Sequence, residues 1–102
     1  MYTGTLSLDL LLGDVHSLKE KRAVVRPVVA ELRRRFEVAS AEVGSLDLHR
    51  RATLGISTVA ADRAQVVRVL DAAEALVAGR PELEPADPHD RECGSRWTTV
   101  GG

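Results

Sequence analysis

The chain has 102 residues and a formal net charge of −1, enough for one domain and no global basic field that would pull it onto nucleic acid. Hydrophobic residues make up 44% and aromatics only 3%, so the core must be built from Leu, Val, Ile and Ala. The single cysteine, Cys93, excludes an internal disulfide and a cysteine-built zinc site, and no apolar run reaches the length of a membrane span.

Residues 2–12 alternate strictly. Leu6, Leu8, Leu10 and Leu12 share one face and Thr3, Thr5, Ser7 and Asp9 the other, the pattern of a half-buried strand. No basic or apolar leader precedes it, so a cytoplasmic protein is expected. Gly13-Asp14 breaks the strand. Ser17 with Glu20 then forms a capping-box pattern that opens a helix. Leu18, Val25, Val28, Val29, Leu32 and Phe36 make its apolar stripe. Pro27 falls opposite that stripe, so it is expected in solvent as a bend in a continuing helix. Val25, Val29 and Leu32 are expected to be buried. Arg33-Arg34-Arg35 close the helix where cations suit its dipole.

Residues 37–43 read as a second strand with Ala39, Ala41 and Val43 facing inward. Residues 44–50 form a loop. Residues 51–60 are a third strand with Leu54 and Ile56 inward and Thr53, Gly55 and Ser57 outward. Asp62 with Gln65 caps a second helix carrying Val66, Leu70, Ala73 and Val77 on one stripe, and Gly79 and Pro81 end it. Residues 82–86 form a weak strand that Pro85 demotes to a sheet edge. The expected domain spans residues 1–87, and residues 88–102, which hold Cys93 and Trp97, show no periodicity and read as a disordered tail.

Strand, helix, strand, strand, helix, strand is the α+β ferredoxin-like βαββαβ arrangement. It predicts a four-stranded antiparallel sheet in the order 4-1-3-2 with two helices on one face. The topology brings the end of strand one, the start of helix one, the end of strand two and the start of strand three to one edge. Lys19, Lys21 and Arg22 are therefore expected beside Glu42, Asp47, Arg50 and Arg51. Cations in the first turn oppose the helix dipole, so nearby carboxylates or an anionic partner must favour them. Two readings of the edge stand. One is a salt-bridge cluster of exposed pairs worth about 0–1 kcal/mol each. The other is an anion or RNA site made by Lys19, Lys21, Arg22, Arg50 and Arg51, with Glu42 and Asp47 as supporting ion pairs.

No P-loop, nucleophile elbow or dinucleotide fingerprint is present, and His16 and His49 lack clustered partners for a metal. No catalytic residue, metal or cofactor is expected. Thr3, Thr5, Ser7, Asp9, Thr53, Gly55 and Ser57 offer nothing on which a base could stack, so RNA would bind by backbone charge at the edge. The leading expectation is a non-enzymatic binding module for RNA or a ribosomal particle. The alternative is a homo-oligomer, such as a homodimer, using the open sheet face, and a small-molecule enzyme comes third.

Ser17-Leu18-Lys19-Glu20-Lys21-Arg22, Arg35-Phe36, Ala41-Glu42-Val43, Asp47-Leu48 and Arg51-Ala52-Thr53-Leu54-Gly55 resemble, in order and spacing over residues 2–87, the YlxP-like family of small bacterial proteins. The resemblance implies a ferredoxin-like fold and no established activity. Members often lie beside genes for ribosome maturation and translation, which implies a link to ribosome assembly. An aromatic usual in the family is replaced by His49, and Pro27, Pro85 and Pro88 also depart from its pattern.

Overall fold

Leucine at every second position of a long strand gives it one apolar face, and that face organises the protein. A computed structural model describes residues 1–44, 46–85 and 96–101. Strand β1 (Tyr2–Leu12) is followed by helix α1 (Leu18–Arg35), strands β2 (Ala39–Gly44) and β3 (Arg51–Ala60), helix α2 (Arg63–Ala78), and strands β4 (Leu83–Pro85) and β5 (Arg96–Gly101).

The sheet order is β2-β3-β1-β4, and every pair is antiparallel. β1 and β3 pair along nearly their whole length, from Tyr2 with Ala60 to Leu11 with Arg51. The sheet has five strands, not four. β5 pairs with Tyr2–Ser7 of β1, while β4 takes Leu10–Leu12 of the same edge. Arg96–Gly101, which the sequence places in a disordered tail over 88–102, pair as β5 with β1. Residues 86–95, with Cys93, lie outside the described residues.

Both helices cover one face of the sheet and share its core. Leu6, Leu8, Leu10 and Leu12 of β1 and Ala52, Leu54 and Ile56 of β3 meet Val25, Val28 and Leu32 of α1 and Val66, Leu70, Ala73 and Val77 of α2. α1 runs unbroken through Pro27, which is exposed as its helical phase requires. Val29 is only half-buried, and Val28 takes the deeper position. α2 packs against β1 at Gly4, where a Cβ would stand 2.3 Å from Val66 Cγ1 and 2.8 Å from Leu70 Cδ1. Glycine is required there by space.

Both helix starts are capped as their sequences imply. The Ser17 hydroxyl accepts from the Glu20 N–H at 3.2 Å, and the Asp62 carboxylate accepts from the Gln65 N–H at 2.8 Å. Glu20 does not reach back to Ser17. Its carboxylate accepts from the His16 N–H at 3.1 Å instead. At the far end of α1, Glu31 pairs with Arg35 at 3.5 Å and with Arg80 beyond α2, which ties the two helices together.

The expected facing of β2 is reversed. Ser40 is buried and Glu42 half-buried on the helix side, while Ala39, Ala41 and Val43 are exposed on the open side. β2 lies at the sheet margin beside α1, where cations wait for polar partners. Arg33 donates from Nε and Nη2 to the Ser40 carbonyl at 3.0 and 2.6 Å, and Lys21 meets Glu42. Alanine has little apolar surface to lose by facing water, so the Lys21–Glu42 pair decides the facing, and the buried Ser40 hydroxyl has no hydrogen-bond partner among the described residues. The pairing with β3 shifts between Glu42 and Gly44, a bulge that turns the strand end toward the loop.

Candidate anion-binding edge

The ends of β1 and β2, the start of α1 and the loop before β3 converge as the topology requires, and hydrogen bonds hold them. The Leu12 N–H donates to the Arg50 carbonyl at 2.9 Å, and Arg50 Nε donates to the Val15 carbonyl at 3.4 Å. Lys21 is the centre of the junction. Its side chain is 2% exposed, and Nζ lies 2.5 Å from Glu42 Oε2 and donates to the Leu48 carbonyl at 2.6 Å. One ammonium thus joins α1, β2 and the following loop.

This placement divides the expected site residues. Lys21 and Glu42 form an internal pair, so Lys21 is buried and not an outward-facing contact. The helical phase explains why: Lys21 precedes Val25, Val28 and Leu32 on the buried stripe. A long aliphatic stem can cross apolar surroundings and carry its charge to a partner at the rim. Arg50 is exposed but anchored in part to Val15. Lys19, Arg22 and Arg51 are exposed. Asp47 is exposed in the loop turn, and among the described residues no ion pair joins it to these cations.

Arg26 and Arg33 escaped the sequence reading as site residues. With Arg22 they line a groove of about 490 Å³ between α1 and β2, whose apolar wall includes Val29 and the exposed Leu46. Their spacing carried the signal. Positions 19, 22, 26 and 33 fall on one stripe of a 3.6-residue helix, apart from the buried stripe.

The Ser17 hydroxyl is engaged in its cap. Among the described residues, no group of three or more His, Cys, Asp or Glu is placed to hold a metal ion. Among the same residues, no helix is long and apolar enough to cross a membrane.

Fold and edge together define a small α+β sandwich with an internally braced basic margin. The chain belongs to the family described as "Protein of unknown function (DUF503)", which matches residues 3–89. It is also 32% identical over 81 residues to the uncharacterized protein YlxP of Bacillus subtilis (strain 168), covering 79% of this chain and 88% of that protein. The expected YlxP-like family is thereby shown.

Proposed function

We propose that this protein is a cytoplasmic, non-enzymatic binding module on a ferredoxin-like scaffold that holds RNA, free or within a ribosomal particle, through phosphate contacts at its basic margin. One observation carries the reading. Lys21 and Glu42 neutralise each other inside the junction, so Lys19, Arg22 and Arg51 present their charge outward around it. Arg50 contributes charge to the same margin while its Nε holds the Val15 loop. Phosphate contacts of this kind position a chain without reading its bases.

The test measures binding of two unrelated single-stranded RNAs, and co-sedimentation with ribosomal particles, at low and high salt. The double variant Arg22→Ala/Arg51→Ala should weaken both RNAs equally. It should also make the salt slope shallower by about 0.7 for each single-strand phosphate no longer neutralised. Absence of binding at the lowest salt overturns the reading.

The register of β2 favours a second reading, self-association through the open sheet face. Ala39, Ala41 and Val43 join Thr5, Ser7 and Gly55 around a shallow depression of about 600 Å³. Arg33 is the one charged residue among the described residues that line it; the rest are small or apolar and let a second copy approach closely, and Val43 and Val59 are more than half exposed on this side. Sedimentation at micromolar concentration should show a dimer that Ala41→Lys dissociates. A clean monomer of the unaltered protein removes the reading.

A further inference from the structure

We propose that the groove between α1 and β2 is the track for the phosphate backbone of single-stranded RNA, with Arg22, Arg26 and Arg33 as its contacts; this rests on the RNA reading above and extends it along the helix. The three arginines stand on one stripe of α1. At 1.5 Å per residue, Arg22 and Arg26 are about 6 Å apart along the axis and Arg26 and Arg33 about 10 Å apart. They face a single groove of about 490 Å³. Glu42 also lines it, but its carboxylate is met by Lys21 at 2.5 Å and does not oppose an anion. Glu20 and Glu31 are engaged elsewhere, with the His16 N–H and with Arg80 and Arg35.

Arg33 is held in place before any ligand arrives. Two of its nitrogens are spent on the Ser40 carbonyl at 3.0 and 2.6 Å, which fixes the plane of the guanidinium and leaves its third nitrogen, Nη1, outside that contact. A fixed guanidinium loses less freedom on binding phosphate than a mobile one.

The same contact chooses the class of polyanion. An acidic peptide entering beside β2 gains most by adding a strand to its edge through main-chain hydrogen bonds. Arg33 occupies the Ser40 carbonyl on that edge, a device that blunts strand addition. A nucleic-acid backbone needs no such bonds and carries a charge on every unit. None of the described residues that line the groove is aromatic, and phosphate contacts do not read bases, so binding is expected to be indifferent to base sequence.

The experiment titrates the full chain with a fluorescein-labelled oligouridylate of about ten nucleotides. Arg26→Ala should weaken binding about eight-fold at about 50 mM salt and make the salt slope shallower by about 0.7. Arg26→Lys should restore the slope and Arg26→Glu should weaken binding further. Arg63→Ala, an equal charge change at the exposed start of α2, should have the smaller effect. If Arg63→Ala matches Arg26→Ala, only net charge matters and the groove assignment is overturned. If binding survives Arg26→Glu but falls with Arg51→Ala, the RNA reading stands and the groove fails. If the unaltered protein does not bind the oligonucleotide, both fail. If polyglutamate of equal charge displaces the oligonucleotide at equal concentration, the ligand is an acidic peptide and the RNA assignment is overturned.

Discussion

Replacing Lys21 tests the structure most directly, because a surface cation and an internal brace predict opposite results. Lys21→Met keeps most of the aliphatic stem and removes the ammonium. The Glu42 carboxylate, 19% exposed, is then left without the charge 2.5 Å away, and the Leu48 carbonyl without its donor at 2.6 Å. Stranding one member of a buried pair costs about 3–5 kcal/mol, and the partial access of water to Glu42 places this case near the lower end, about 3 kcal/mol. For a domain of this size that corresponds to a fall in Tm of about 12–24 °C. Urea denaturation followed by circular dichroism should show a lower midpoint with an unchanged slope. Adding Glu42→Leu to Lys21→Met should recover most of the stability, since apolar residues of similar volume often replace a buried ion pair without cost. The double-mutant cycle should therefore show strong coupling. A destabilisation below about 1 kcal/mol for Lys21→Met, the value of an exposed pair, refutes the buried assignment.

Three further outcomes follow from local geometry. Gly4→Ala should cost about 1–3 kcal/mol in chemical denaturation, because its Cβ would enter the space of Val66 and Leu70 in the core. Gly55→Ala, whose Cβ would stand 2.9 Å from Cγ1 of the exposed Val43 side chain, should cost less than Gly4→Ala, because Val43 can move into solvent while Val66 and Leu70 are held in the core. Asp62→Ala should cost about 1 kcal/mol, measured the same way, by removing the acceptor for the Gln65 N–H at the start of α2.

The elements and most of the core were legible along the chain. Alternating leucines specify the buried face of β1, the stripe through Val25, Val28 and Leu32 specifies that of α1, and Ser17 and Asp62 mark both helix starts. These are local signals, since periodicity and capping depend on residues within a few positions of one another. Helical phase also placed Pro27 in solvent. The convergence of α1, β2 and the loop before β3 followed from connectivity alone. Assembly in three dimensions settled what happens where polar residues meet polar residues. The alternation of Ala39-Ser40-Ala41-Glu42-Val43 favours its apolar face inward, and only the arrival of Lys21 from α1, which pairs with Glu42, turned the other face toward the helices. Lys21 looked like a surface cation because burial of a charge depends on a partner 21 residues away in sequence. Strand β5 likewise forms where the edge of β1 offers main-chain partners from a segment far away in sequence. Apolar patterning is written along the chain, whereas paired charges and unfilled sheet edges acquire their meaning only when distant segments come together.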